Sequence, residues 1–227
     1  ADYIQIYYKY HMPKDKRYKN FIVFEGCDGS GKTTQKNVLI AKLKEAGFSV
    51  WSTEEPYNAK MRELVTEDLK GNDAELNPVT ELFIFQADRS QHVNEIKRQL
   101  EAGMIVICDR FSASSFAYQG YGRGLLKKQR DMMRAVDLAS RAGLLPGLTI
   151  LLDQDAEISL SRKRNQKTLF MDKIEGEEIF FHKKIRKGFL ELAKEKFLSP
   201  WLVIDASQKE IAIAEEIWNK VIWHLKK

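Results

Sequence analysis

The run Gly26-Cys27-Asp28-Gly29-Ser30-Gly31-Lys32-Thr33 has glycine at its first and sixth positions, then lysine and a hydroxyl. That spacing is G-x-x-x-x-G-K-[ST], a loop that cradles phosphates. Its glycines let the backbone curl until successive N–H groups point at phosphate oxygens. A following helix adds its positive N-terminal end. Lys32 is expected to reach the β- and γ-phosphates of a nucleoside triphosphate, and the Thr33 hydroxyl to ligate Mg²⁺. The residues expected around the triphosphate are Gly26, Asp28, Gly29, Ser30, Gly31, Lys32, Thr33 and Thr34. Two apolar runs end in a carboxylate, at Asp109 and Asp153, and either suits the acidic partner of the metal; Asp109 is taken with Thr33 as the metal pair.

The loop identifies the donor and leaves the reaction class open. An N-K-x-D guanine reader is missing, because Asn219-Lys220 runs on into Val221-Ile222. Arg110 follows Asp109 directly, where its planar fork suits a phosphate. Ser112 to Gly124 is rich in small, hydroxyl and aromatic residues, among them Ser114, Ser115, Tyr118 and Gln119, and reads as a nucleoside pocket. Phe85 and Arg89 lie four apart, on one helix face, as a ring and a donor for a base would.

The elements that must hold these groups alternate. Strands are expected at 21–24, 48–51, 104–108, 148–152 and 201–204. Helices are expected over 31–46, 57–70, from Pro78 to the Gly103 stop, and over 127–142, 156–164, 175–196 and 209–226. Such alternation implies an α/β fold, a five-stranded parallel sheet with helices on both faces. Ligands then bind beyond the carboxyl ends of the strands. The chain has 227 residues, enough for one domain, read as 21–227. Residues 1–20, rich in Tyr and Lys, read as an N-terminal extension, irregular or strand-like, with Met12 a natural start. Cys27 and Cys108 show no metal-ligand spacing, no apolar run is long enough to span a membrane, and no secretory signal is found. A cytoplasmic location is expected, with no nucleic-acid or membrane partner; the net charge of +5 suits an anionic small ligand as well as a polynucleotide.

Segments 24–35, 85–89, 109–125, 181–189 and 203–206 together resemble the thymidylate kinases in order and spacing, Ala117-Tyr118-Gln119-Gly120 most specifically. The resemblance covers nearly the whole chain from Phe21. It implies ATP- and Mg²⁺-dependent phosphorylation of dTMP to dTDP by a homodimer. It also implies roles: Asp28 meets the acceptor's sugar, Phe85 stacks on the base, Arg89 bonds its edge, and Arg110 clamps the acceptor phosphate. Ser114 and Ser115, with Gln119 nearby, read the base, and Tyr118 crowds the 2′ position. A short lid at about 162–175 would bring Arg162 or Arg164 to the phosphates, since Gly29 stands where some members place an arginine. Lys32, Asp28, Arg110, Arg162 and Arg164 form the expected catalytic set. Another P-loop kinase with a different acceptor is the alternative, and a regulatory P-loop ATPase a further one.

The chain departs from the family pattern after the second strand. Where Arg-Glu-Pro-Gly-Gly is common, it has Glu54-Glu55-Pro56-Tyr57-Asn58, so an acid replaces an acceptor-binding arginine. In the lid, Lys173 stands in Asp172-Lys173-Ile174-Glu175 where arginine is usual, keeping the charge and losing the fork.

Overall fold

Strand β1 (Lys16–Glu25) forms because Phe21-Ile22-Val23-Phe24 is an unbroken β-favouring run that buries both faces. The computed structural model describes residues 14–68, 76–164 and 175–227. Around β1 lie β2 (Val50–Glu54), β3 (Ile105–Asp109), β4 (Leu144–Asp153) and β5 (Trp201–Asp205). They form one parallel sheet in the order β2-β3-β1-β4-β5, with β1 at the centre. Non-sequential neighbours require helical crossovers. The described helices are α1 (Lys32–Glu45), α2 (Ala59–Asp68), α3 (Pro78–Glu101), α4 (Ser112–Ser115), α5 (Leu125–Lys128), α6 (Arg130–Arg141), α7 (Ala156–Arg164), α8 (Glu175–Lys194) and α9 (Glu210–Lys226). Asn77 caps α3 by accepting from the Val79 amide, with Pro78 at the first helical position.

The two-residue period of β1 divides the core. Ile22 and Phe24 pack with Leu39 and Leu43 of α1 and Ile213 and Ile217 of α9. Phe21 and Val23 face Val93 and Ile96 of α3. Each such side chain contributes about 1.5–3 kcal/mol when fully buried. This holds β1, and therefore the loop leaving it, in one place. A third cluster joins α8 to residues 113–125 through Phe116, Ile185 and Phe189.

Three expectations are corrected. Residues 16–20, read as part of an extension, belong to β1, and β4 begins at Leu144 beside them. The second strand lies at 50–54 rather than 48–51. The pocket segment, for which no helix was expected, is helical: α4 leads into a π-helical turn at Phe116–Gly122 and then α5. That turn packs against α8, and its glycines permit the contact: a Cβ on Gly122 would meet the Phe181 ring, and one on Gly120 the Leu126 side chain.

All five strands end in a carboxylate: Glu25, Glu54, Asp109, Asp153 and Asp205. Glu54 pairs in register with Asp109, and Asp153 with Asp205. The acids thus line the edge where a ligand binds.

Gly147 sits in β4 where pairing with β1 shifts register between Tyr18 and Ile22. A Cβ there would lie 2.5 Å from the Lys19 carbonyl oxygen and 2.6 Å from that of Tyr18. Gly147→Ala is expected to cost about 1–3 kcal/mol, a drop of roughly 5 °C in melting midpoint. Calorimetry checks it; an unchanged midpoint would mean that the two strands part easily at this point.

Candidate active site

The loop leaving β1 turns through Gly26, Gly29 and Gly31, all at positive φ, and delivers Lys32 into α1. Lys32 is buried, and its Nζ donates to the carbonyls of Gly26 (3.1 Å) and Cys27 (2.9 Å). Burial lowers its pKa to about 8, with repulsion from Arg110 adding to the effect. The Cys27 thiol is pushed up to about 11 by burial, which leaves it inert. Gly29 is at φ 79, and a Cβ there would collide with the Ser159 carbonyl of α7. An arginine at position 29 is therefore excluded by backbone contact.

The loop forms one wall of a cleft of about 1000 Å³ over the carboxyl ends of the strands. Asp28, Asp109, Arg110, Glu54 and Arg62 line it on one side, and Gln208 and Glu210 near β5 on the other. Thr33 Oγ1 lies 3.5 Å from Asp109 Oδ2, and Asp109 Oδ1 is buried without a hydrogen-bond partner. A hydroxyl beside an unsatisfied carboxylate oxygen fits a magnesium ion, which takes oxygen ligands together with substrate phosphates. The structure thus brings together the expected metal pair.

Arg110 occupies the middle of the cleft with its backbone at φ 72, held by its N–H donating to the Phe24 carbonyl at 2.9 Å. A left-handed non-glycine residue costs about 1–3 kcal/mol and persists where its surroundings enforce it. Its Nη1 donates to Ser114 Oγ at 3.0 Å, and its Nη2 to Tyr118 Oη at 3.0 Å and to Asp28. The guanidinium also lies over the Tyr118 ring, 4.9 Å from its centroid. Asp28 of the P-loop thus joins Arg110, Ser114 and Tyr118, 82 and more residues further along the chain, in one constellation.

The other expected base-side residues are placed differently. Phe85 is half-buried on α3. Arg89 is 1 % exposed; its Nε and Nη2 donate to Glu55 Oε2 (3.0 and 2.7 Å), and its Nη1 to Gln86 and to Ser115 Oγ (3.1 Å). Glu55 also meets His92, whose other nitrogen pairs with the Thr53 hydroxyl. Burial alone would raise the Glu55 pKa, yet Arg89 and His92 hold it below the ordinary value. Gln119 is buried, and its amide donates to Glu81, which also accepts from Arg123. The side chains of Arg162 and Arg164, and residues 165–174 with Lys173, lie outside the described residues.

Glu25 was absent from the expected site. It is fully buried beneath Arg110, and its carboxyl accepts from the Phe111 amide (3.0 Å), the Ser114 amide (3.2 Å) and the Ser114 hydroxyl (2.6 Å). A signal existed: an acid ending a wholly apolar run has no solvent to face. Lys36, Arg62 and Arg186 were missed as well. Lys36 lies between Glu54 (3.9 Å) and Asp109 (3.8 Å), and Arg186 forks onto Asp153 (2.7 and 3.0 Å).

Residues 24–217 match the sequence model of the thymidylate kinase family. The chain belongs to the thymidylate kinase family. It is 40% identical to the thymidylate kinase of Nostoc punctiforme over 210 residues, covering 90% of this chain and 96% of that one. It is 43% identical to that of Chlamydia abortus over 204 residues, covering 89% and 93%. The thymidylate kinase of Thermomicrobium roseum is 38% identical over 208 residues, covering 91% and 96%. The five-stranded parallel sheet agrees with the fold expected of a thymidylate kinase from sequence.

Burial pushes the Glu25 carboxyl up to about 7, against the opposing pull of Ser114 and Arg110. A carboxyl with a raised folded-state pKa contributes stability that is fully present below about pH 4.5 and is lost as pH rises to about 7. The span corresponds to about 3 kcal/mol. Glu25→Gln should flatten the fall in unfolding free energy across that window in denaturant titrations at several pH values. A slope equal to wild type would show that Glu25 titrates alike in the folded and unfolded chain.

Proposed function

We propose that this chain transfers the γ-phosphoryl group of ATP to dTMP, giving dTDP and ADP. The observation that carries the reading is Arg110, held by Asp28 and Tyr118 across the same cleft as the P-loop of a thymidylate kinase family member. The triphosphate lies in the cradle of Gly26 to Thr34, with Lys32 leaving the Gly26 and Cys27 carbonyls for its β- and γ-oxygens. A phosphate oxygen of dTMP attacks the γ-phosphorus in line, and the bond to the β-bridging oxygen breaks. The attacking oxygen is already anionic, so no strong general base is required. The protein must align two polyanions and offset the charge between them.

Each residue has a role in that task. Arg110 binds the acceptor phosphate, and Asp28, its partner, meets the sugar. Tyr118 fills the space beside the 2′ position, which favours deoxyribose. Phe85 stacks on thymine, and Ser115, fixed by Arg89, faces its edge with Ser114. Gln119 supports the Tyr118 segment through Glu81 rather than touching the acceptor. Thr33 and Asp109 would hold Mg²⁺, which supplies charge neutralisation at the transferring phosphate. Gly29 leaves the mobile arginine to the lid at about 162–175, as Arg162 or Arg164.

A homodimer, the usual form of the family, would cover Phe83, which is 48 % exposed on α3. No described helix is long and apolar enough to cross a membrane; the nucleotide substrates suit action in the cytoplasm.

The test is a coupled ADP-release assay with ATP and Mg²⁺, comparing dTMP, dUMP, UMP, dCMP and thymidine. Strong preference for dTMP is expected, and Arg110→Ala should lower kcat/KM for dTMP by about 10²–10³-fold. Preference for another monophosphate would move acceptor choice to the altered 54–58 loop. Release without any acceptor would sink the kinase reading.

A further inference from the structure

Glu25 is fully buried and has no part in the phosphoryl transfer described above, yet its two oxygens are used differently. Oε1 accepts from the backbone amides of Phe111 (3.0 Å) and Ser114 (3.2 Å). Oε2 accepts from the Ser114 hydroxyl at 2.6 Å. That hydroxyl in turn accepts from Arg110 Nη1 at 3.0 Å. A guanidinium only donates, so the single Ser114 proton goes to Glu25 and a lone pair goes to Arg110.

The fold keeps this path short and stiff. Glu25 ends the central strand, in register with Leu151 of β4. Arg110 leaves the neighbouring β3 with its own N–H tied to the Phe24 carbonyl at 2.9 Å. Both ends of the path Glu25–Ser114–Arg110 are therefore anchored to adjacent strands. The path sets Nη1, while Asp28 and Tyr118 hold Nη2.

The chemistry asks for a carboxylate at position 25. The carbonyl of a glutamine could accept from both amides without the cost of burying a charge. Its amide nitrogen, however, would donate to Ser114, whose proton would have to turn away. An ionised carboxylate is acceptor-only, so it fixes the hydroxyl in the one sense that leaves a lone pair for the guanidinium.

We infer that Glu25 is a positioning residue for the acceptor phosphate, acting on Arg110 through the Ser114 hydroxyl. This rests on the reading of Arg110 as the acceptor clamp. A carboxylate that only tied two loops together would support ATP and dTMP binding alike, and its loss would be felt with or without the Ser114 hydroxyl.

The test is a double-mutant cycle over wild type, Glu25→Gln, Ser114→Ala and the double variant. It is read at about pH 8, above the value of about 7 to which Glu25 is raised. Initial rates give KM for ATP and dTMP, and calorimetry gives Kd for dTMP. Glu25→Gln should raise KM and Kd for dTMP by about 5- to 30-fold and leave KM for ATP within about twofold. In the Ser114→Ala background the same exchange should change Kd for dTMP by less than about twofold. Losses that multiply in the double variant would overturn the inference, as would unchanged dTMP binding in a folded Glu25→Gln; either leaves the kinase reading intact. An equal rise in both KM values would overturn it too, showing that Glu25 only supports the loops. Should Glu25→Gln not fold, Glu25→Asp, which keeps the charge and shortens the reach, completes the same cycle. A wild-type chain that neither binds nor phosphorylates dTMP would sink both the reading and the inference.

Discussion

Five carboxylates at the edge of one parallel sheet, where two polyanions must meet, is the electrostatic condition that the rest of the site answers. Unpaired, they would repel the substrates and one another. Each is handled differently. Glu25 is sealed under Arg110 with three donors around it and a proton affinity raised to about 7. Glu54 is shared by Arg62 and Lys36, and Asp109 faces Lys36 and Thr33. Asp153 is forked by Arg186, and Asp205 accepts from the Ser207 amide. The cations come from helices behind or beside the edge, so the cleft's potential is set by side chains anchored in the core.

Arg110 links this edge to the pocket. It occupies a strained backbone conformation because the sheet fixes it from one side and the Glu25–Ser114 contact from the other. Its three partners come from the P-loop and from the helical segment after β3. Disturbing either segment must therefore be felt at the guanidinium, which makes the P-loop and the segment after β3 one mechanical unit. Behind it, the Glu55–Arg89–His92 network ties the end of β2 to α3 and presents Ser115.

Much of this was legible in the sequence, for identifiable reasons. The central strands hold unbroken apolar runs, which located them, although β1 and β4 begin before those runs; the P-loop is defined by residue types at fixed spacing and lies between β1 and α1 as expected. β2 was displaced because Ser52, Thr53 and Glu54 carry no hydrophobic signal; the strand lies at the sheet edge, and its pairing with β3 defines it. The 112–124 segment hid its helix behind serines and glycines of low helical propensity, and packing on α8 overrode that preference. Phe85 and Arg89 were correctly placed on one helix, but spacing alone does not reveal that Arg89 is buried among acids. Lys36 went unread because a buried charge looks, in sequence, like any other charge; for Glu25 the apolar run that it closes was the signal, and it was passed over.

The contact between Gly29 and the Ser159 carbonyl has a consequence for what the loop can carry. In this geometry, any side chain at position 29 and the backbone of α7 compete for the same volume. A side chain could be added to the loop at this point only if α7 shifted as a body. A single glycine-to-arginine exchange would create a lodger with no room. The short seam between loop and helix thus sets, from outside the loop, which side chains the loop can bear.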